Sequence, residues 1–212
     1  GNVPANAKIS WVFRRTTDQA LITAAHMAYA RGVDGLSFFN FQYYRSTRNP
    51  TDVFGKNHEP PYYIFKYLRD PAYVSKQDQY YFIGLTHNEP ARDNRPFQNV
   101  FVTEVPQTQW LDMAPPVGGW KTDGRLRIQS INDLSDTDWC VCINGTKLAP
   151  NADVSEPYNN PYDTAIGQAK NYKAFTVPAA LIKDGMNEIT IVLKKGPPTP
   201  LFYLDLALKA QK

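Results

Sequence analysis

A group of polar and aromatic side chains closes a nearly continuous apolar run at residues 33–41 and continues just beyond it. The group consists of Asn40, Tyr43, Tyr44 and Arg45. Arginine and asparagine side chains can bond sugar hydroxyls in a fork-like manner, and tyrosine rings can cover the apolar face of a pyranose. These residue types predict a contact with sugar. Ordinary packing of the tyrosines against the following loop explains them equally well, so both interpretations stay open.

Further aromatic side chains occur in segments of the second half that are predicted to be loops. They are Trp110, Trp120, Tyr158 and Tyr162. The two tyrosines belong to a long connection at residues 149–170, and long loops on a rigid scaffold often hold function. Each ring either forms a platform for sugar or anchors its loop to the domain, and the sequence leaves the choice open.

The remaining reactive side chains predict no metal, cofactor or nucleophile chemistry. The two cysteines, Cys140 and Cys142, would share one face of a strand about 6.5–7 Å apart, which is long for a disulfide, so they are interpreted as small buried side chains. The three histidines are widely spaced, and Asp133, Asp136 and Asp138 are in a segment without the glycine and terminal glutamate of a calcium loop. No GxSxG, phosphate-loop or dinucleotide motif occurs.

The elements that must position the first group begin with a strand and a helix. Residues 8–15 alternate with a period of two, which predicts a strand. In the helix that follows, Thr16 and Gln19 have the spacing of a capping box, and Gly32 lies where a C-terminal left-handed residue belongs.

The next two elements are a second strand and a short helix. The apolar run at residues 33–41 suits a strand covered on both faces, as in a parallel sheet. After a polar loop, residues 62–68 predict a short helix that ends before Asp70-Pro71.

After about residue 74 the chain consists of short β-type runs between clusters of Pro, Asn, Asp and Gly. The runs predicted as strands are residues 80–85, 99–105, 125–131, 138–143, 172–177, 187–193 and 201–208. Asn144-Gly145 is the preferred sequence of a two-residue type I′ hairpin turn, which explains this asparagine more simply than glycosylation does. Seven such strands predict an antiparallel β-sandwich.

Several stretches of the first part carry a resemblance to known proteins. They are Ala24-Ala25, residues 31–41 (Arg-Gly-Val-Asp-Gly-Leu-Ser-Phe-Phe-Asn-Phe), residues 67–71 (Tyr-Leu-Arg-Asp-Pro), Lys76 and Tyr80. Their order resembles the end of the (β/α)8 barrel in bacterial glycoside-hydrolase-like proteins. The resemblance implies that the run at 33–41 is the eighth barrel strand and that Asp70-Pro71 lies just before a C-terminal β domain.

The second part carries its own resemblance. Its carriers are residues 126–128, the turn Asn144-Gly145, and residues 175–193, which read as a strand, a Pro-started helical turn, a Gly-Met-Asn corner and a strand. They are similar to the galactose-binding-like jelly roll attached to many glycosidases. The expected fold is therefore α+β but mainly β, with a partial (β/α) barrel-like segment at residues 1–74 and an antiparallel β-sandwich at residues 75–212.

The barrel-like segment is not expected to contain a catalytic site. A full barrel needs eight βα units and about 250 residues, whereas about two units fit before residue 74. The acidic residues of this segment are Asp18, Asp34, Asp52, Glu59 and Asp70. None follows a predicted strand directly at its C-terminal end, and glycoside hydrolysis requires a pair of carboxylates.

The resemblance implies a non-catalytic C-terminal region of a carbohydrate-active protein, secreted or periplasmic, that supports or binds glycan. The alternatives are a glycoside hydrolase completed by an upstream or partner segment, and a structural or interaction module without ligand. A net charge of +3 without a cluster of Lys and Arg argues against nucleic acid, and no apolar run approaches the length of a membrane span. A partial barrel would leave its apolar strand partly uncovered, which predicts that the sandwich folds back over it or that it pairs with an upstream barrel segment or a second copy.

Overall fold

The computed structural model describes residues 16–38, 41, 62–85, 99–159 and 167–211. Three helices are α1 (Asp18–Ala30), α2 (Phe65–Leu68) and α3 (Pro71–Val74). The strands are β1 (Gln79–Gly84), β2 (Val100–Phe101), β3 (Gln107–Met113), β4 (Gly124–Gln129), β5 (Asp138–Ile143), β6 (Thr146–Lys147), β7 (Ala149–Asn151), β8 (Tyr172–Val177), β9 (Gly185–Lys195), β10 (Thr199–Pro200) and β11 (Tyr203–Leu208). The described part of the chain is mainly β, as expected.

Two antiparallel sheets form a β-sandwich, which confirms the predicted architecture of the second half. One sheet has the strand order β1-β11-β4-β8-β7 and the other β3-β9-β5-β6, while β10 and β2 form a separate pair. Side chains of both sheets meet in one core. On β9 the alternation is regular, because Ile189, Ile191 and Leu193 are fully buried between half-exposed neighbours. Each such side chain stabilises the fold by about 1.5–3 kcal/mol relative to exposure.

The hairpin between β5 and β6 turns at Asn144 and Gly145, as predicted. Both residues have positive φ, 49° and 81°. A type I′ turn requires this at both central positions, and glycine and asparagine adopt it at the lowest cost. The neighbouring pairs of the ladder are Ile143 with Thr146 and Cys142 with Lys147.

Helix α1 begins one residue later than the sequence suggested. Thr17, not Thr16, is the N-cap, and its hydroxyl accepts the Ala20 N–H at 3.0 Å. The predicted capping box is wrong, because the side-chain amide of Gln19 donates instead to the carbonyl of Asp78, the residue before β1.

The end of α1 was predicted correctly. Gly32 has φ +86°, its N–H bonds the Tyr29 carbonyl at 2.9 Å, and the Val33 N–H bonds the Ala28 carbonyl at 3.1 Å. These two bonds form a Schellman motif, in which glycine takes the left-handed position. The chain is thereby turned sharply off the helix axis.

The strand predicted at 33–41 does not form over residues 33–38, and Phe41 has a helical conformation. A strand needs a neighbour for its backbone groups, and none of the described strands pairs with this segment. Its aromatic rings pack against one another and on α2 instead. The predicted strand at residues 8–15 lies outside the described residues.

Two further strand predictions differ from the structure. Of the run at 99–105 only Val100–Phe101 forms a strand, followed by an isolated bridge at Thr103. Strand β3 was missed, because its sequence Gln-Thr-Gln-Trp-Leu-Asp-Met follows Pro106 and contains few of the residues typical of strands.

The turn of helix α3 was also missed. It starts at Pro71, and the Asp70 carboxylate accepts the N–H groups of Ala72 and Tyr73.

The three helices form a small layer that is attached to the edge of the sandwich. One side of α1 faces α2 and α3, where Ala25, Ile64, Leu68 and Val74 make a second core. The other side faces β1, where the Thr23 hydroxyl accepts the Tyr80 N–H at 2.7 Å. Helix α1 is therefore buried from two sides.

A buried amide lies at the junction of this layer with both sheets. Gln79, at the start of β1, is 1% exposed. Its Nε2 donates to the Ala114 carbonyl at 2.8 Å, and its Oε1 accepts the Tyr81 hydroxyl at 2.8 Å and the Trp120 indole N–H at 2.7 Å. The ring nitrogen Nε2 of His26 on α1 lies 3.3 Å from the same Ala114 carbonyl. We call these five residues the Gln79 junction.

The Gln79 junction yields the first prediction. Gln79→Met keeps the length of the side chain but removes the acceptor for two donors and the donor for one carbonyl. We expect a loss of about 2–3 kcal/mol in the free energy of unfolding, because removing one partner of a buried hydrogen bond costs about 1–3 kcal/mol. Chemical denaturation measures it. Gln211→Met, at an exposed glutamine, is the matched control, and an equal effect of both changes would contradict the role of the junction.

Candidate functional site

A cleft of about 610 Å³ lies between the end of α1, the segment that follows it, and α2. Its walls are made by Tyr29, Asp34, Gly35, Leu36, Ser37, Phe38, Phe41, Tyr62, Phe65, Leu68 and Arg69. Ligand pockets commonly have volumes of about 300–1,000 Å³ and walls that are mostly apolar with a few polar groups. The cleft is within this range and has this composition.

Four aromatic rings in mutual contact form the wall of the cleft. Phe38 stacks on Phe65 with centroids 5.1 Å apart, and Phe41 lies 4.8 Å from Phe65 and 5.8 Å from Tyr62. Phe41 is buried, whereas Phe38 and Tyr62 are 37% and 52% exposed. Buried Phe41 and half-buried Phe65 therefore hold the two exposed rings in place, with ring surface open to solvent.

The local sequence explains why these rings meet. The Schellman motif at Gly32 directs the chain across the end of α1, so that residues 34–38 face α2. Leu68 is almost fully buried and belongs to the second core. Asp34 and Arg69 are exposed and add one negative and one positive charge. The cleft thus combines apolar ring faces with a hydrogen-bond acceptor and a fork of donors.

A clasp of ionic hydrogen bonds fixes the end of α1 next to the cleft. The guanidinium of Arg31 donates from Nη2 to Asp112 Oδ1 at 2.6 Å, from Nε to Asp112 Oδ2 at 3.1 Å, and from Nη1 to Asp184 Oδ1 at 2.9 Å. Its Nη2 also donates to the Met113 carbonyl at 2.7 Å. The hydrogen bonds that Arg31 donates to Asp112, then to Asp184, raise the pKa of Arg31, and the bonds to Asp112 hold the pKa of Asp112 below its usual range.

Trp110 lies beyond this clasp. It was predicted in a loop, but it stands on β3 with 55% of its surface exposed, opposite Glu188 of β9. The prediction of a loop was wrong because the sequence of β3 contains few of the residues typical of strands. A regular edge strand holds the indole more rigidly than a loop would.

The other two described aromatics of the sequence prediction make packing contacts. The Trp120 indole donates to Gln79, and its ring packs against the main core. The Tyr158 hydroxyl lies 3.3 Å from the Leu208 carbonyl, and burial, followed by the charge of Asp78, raises the pKa of Tyr158. Both residues anchor loops to the sandwich. Their contact with sugar stays a prediction.

The remaining predicted site residues, Asn40, Tyr43, Tyr44, Arg45 and Tyr162, lie outside the described residues. The first four flank Phe38 and Phe41 in sequence, and both of these line the cleft. Their contact with sugar stays a prediction, and the sequence analysis did not identify the rings at residues 62–65 that complete the cleft.

A buried ion pair on the outer face of the first sheet was missed by the sequence analysis. Arg127 and Asp205 are each 1% exposed and share two hydrogen bonds, at 3.0 and 2.6 Å. Burial opposes the charge of Arg127, but Asp205, then Glu156, outweighs it, so that the pKa of Arg127 is raised. Arg127 also donates to the carbonyls of Val154 and Ser155, at 3.0 and 2.9 Å. The pair thus fastens the segment after β7 to the sheet.

The described residues contain no group of three or more His, Cys, Asp or Glu side chains that could hold a metal ion. Cys140 and Cys142 are free thiols on the half-exposed face of β5, rather than fully buried as expected. Burial, then the neighbouring Cys140, raises the pKa of Cys142, which disfavours its reactive thiolate form.

Fold and cleft together define a two-sheet antiparallel β-sandwich that carries a short helical layer with an aromatic cleft. No family model matches the chain, and no curated protein matches it either. In the part of the chain that the structure describes, no helix has the length and apolar character needed to cross a membrane.

The Arg31 clasp yields a prediction about pH. Because the pKa of Asp112 is lowered by folding, its contribution to stability is complete above the unfolded value of about 4 and is lost as the pH falls through the folded value. Arg31→Met should lower the free energy of unfolding by about 0.5–1 kcal/mol at pH 7, since both partners are partly exposed. At pH 2.5 the difference in unfolding urea concentration between the wild type and the variant should be smaller than at pH 7.

The matched control is Lys121→Met, which removes an exposed positive charge in a turn. It should leave stability within about 0.5 kcal/mol at both pH values. An Arg31 effect of undiminished size at pH 2.5 would show that the clasp stabilises through packing rather than through charge.

Proposed function

We propose that this chain is a non-catalytic C-terminal region of a secreted or periplasmic carbohydrate-active protein, with the helical layer as the end of a (β/α) barrel and the sandwich as a galactose-binding-like jelly roll. In this proposal the sandwich supports the barrel end, and the aromatic cleft contacts glycan. The observation that carries the proposal is the cleft itself, with exposed ring faces beside one carboxylate and one guanidinium.

The chemistry of the cleft suits a sugar. A pyranose has apolar faces made of C–H groups, which pack on aromatic rings, and hydroxyl groups at its edge, which need donors and acceptors. Phe38 and Tyr62 offer the ring surfaces, while Asp34 and Arg69 offer the polar partners. Aromatic rings held by buried neighbours lose little conformational entropy when a ligand binds.

The supporting role is favoured by the way the helical layer is attached. Helix α1 contacts the sandwich on one side and α2 and α3 on the other. Val33, Phe38, Tyr63 and Tyr67 on this layer are still 36–53% exposed. An adjoining βα unit of a barrel would cover these side chains. A second copy of the chain is the other occupant considered, and light scattering of the isolated chain separates the two.

The alternative of a true hydrolase needs groups from elsewhere. Among the described residues that line the cleft, Asp34 is the single carboxylate, whereas both known geometries of glycoside hydrolysis use two. An upstream or partner segment would have to bring the second. Turnover of aryl glycosides by the isolated chain that disappears in Asp34→Asn would favour this alternative.

Two adjacent tyrosines provide a controlled test of glycan contact. Tyr62 and Tyr63 are 52% and 53% exposed in the same helical turn, but only Tyr62 lines the cleft, while the Tyr63 hydroxyl bonds Asp18. We expect Tyr62→Ala to weaken oligosaccharide binding about 3- to 10-fold, from loss of a ring contact worth about 0.5–1.5 kcal/mol. Tyr63→Ala should leave binding unchanged.

The measurement is titration calorimetry after a glycan array has selected the best-bound sugars. Circular dichroism confirms that both variants remain folded. Absence of binding by the wild type at millimolar sugar, or equal effects of the two substitutions, would contradict the proposal and would favour the module without ligand.

A further inference from the structure

Trp110 is an exposed aromatic side chain on the outer face of the second sheet. It is 55% exposed, and Met186, diagonal to it on β9, is also 55% exposed. Tryptophan is enriched at binding interfaces, because its ring is apolar while its N–H can donate a hydrogen bond.

Polar groups with fixed orientation surround the indole. Directly opposite it, the Glu188 carboxylate accepts the Thr190 hydroxyl at 3.1 Å. The Thr190 hydroxyl lies 3.4 Å from the hydroxyl of Thr108, two residues before Trp110 on the same face of β3. The ring thus has oriented hydrogen-bonding groups beside it.

The Arg31 clasp connects this surface to the cleft. Asp112, two residues after Trp110, lies on the same face of β3, and i to i+2 in a strand spans about 6.6 Å. Asp112 is bound by Arg31, at the end of α1, and three residues further along the chain Asp34 lines the cleft. Trp110 and the cleft therefore lie on the two sides of the Arg31 clasp.

We propose that Trp110 and the cleft bind one saccharide chain, so that the ligand is a polysaccharide or long oligosaccharide rather than a single sugar or disaccharide. This rests on the proposed function, in which the cleft contacts glycan. Linking two contacts on one ligand makes the second intramolecular, and affinity then rises with chain length until both ends are occupied.

The charges along the surface indicate a neutral saccharide. Glu188 lies opposite Trp110, and Asp112 and Asp184 add two negative charges at the Arg31 clasp, where the positive charge of Arg31 is bound to both aspartates. In the cleft, Asp34 and Arg69 balance each other. Excess negative charge repels sulfated or carboxylated sugars, so the surface selects against anionic polysaccharides.

The test measures dissociation constants by titration calorimetry for neutral β-1,4-linked gluco-, manno- and xylo-oligosaccharides of two to six units, with oligogalacturonates as the anionic comparison. Wild-type affinity for the best neutral series should rise at least tenfold from two to six units, and oligogalacturonates should bind at least tenfold more weakly than neutral chains of equal length. Trp110→Thr, which keeps a strand-forming residue, should abolish the rise without changing the affinity for two units.

Tyr62→Ala and Trp110→Thr together separate the possible outcomes. If Tyr62→Ala weakens the binding of six units and Trp110→Thr does not, the binding of one saccharide chain by both Trp110 and the cleft is wrong and the proposed function stands. If the wild type binds none of these sugars at millimolar concentration, the proposed function and this inference both fail. Trp110→Ala is a second variant that removes the ring. Circular dichroism of this variant shows whether the strand remains, so that loss of the ring is distinguished from loss of the strand.

Discussion

The arrangement of the molecule depends on the buried side-chain amide of Gln79. A buried amide without partners would destabilise the fold, so its donors and acceptor dictate what must lie around it. Here they bring together the start of β1, the chain just after β3 and the loop of Trp120. The Ala114 carbonyl of the same junction is also within 3.3 Å of His26 on α1. One small polar cluster therefore joins an edge strand of one sheet, the end of an edge strand of the other, and the helical layer.

The position of the candidate site follows from this junction. Thr23 and His26 fix α1 near its middle. Arg31, which follows the last residue of the helix, therefore reaches the outer face of β3 and forms the ionic clasp with Asp112. The Schellman turn then sends the chain into the cleft. The Arg127–Asp205 pair has a comparable role on the other sheet, where it fastens a loop. Such pairs add more to the definition of one arrangement than to net stability, since burying both charges offsets much of their attraction.

The features of this fold that depend on residues adjacent in sequence could be predicted from the sequence. The Asn144-Gly145 turn, Gly32 at the end of α1 and the strand at residues 187–193 each depend on a few adjacent residues, and each was predicted. Contacts between distant residues were not readable. Nothing in the sequence around residue 127 indicates that β4 lies beside β11, so the pairing of Arg127 with Asp205 could not be predicted. The apolar run at 33–38 was misread because rings packed on α2 and a buried strand give the same composition.

The domain boundary was predicted at residue 74, where the sequence changes to short β-type runs. This boundary falls between the helical layer and the sandwich, which the Gln79 junction ties together. Native-state hydrogen exchange of the whole chain tests this most directly, because it reports the free energy of opening for each element. We predict that the amides of α1 around Thr23 and His26 open with the same free energy as those of β1 and β9, and that Gln79→Met lowers all of these opening free energies together. Exchange of α1 at a much lower free energy, with β1 and β9 still protected, would contradict the role of the Gln79 junction.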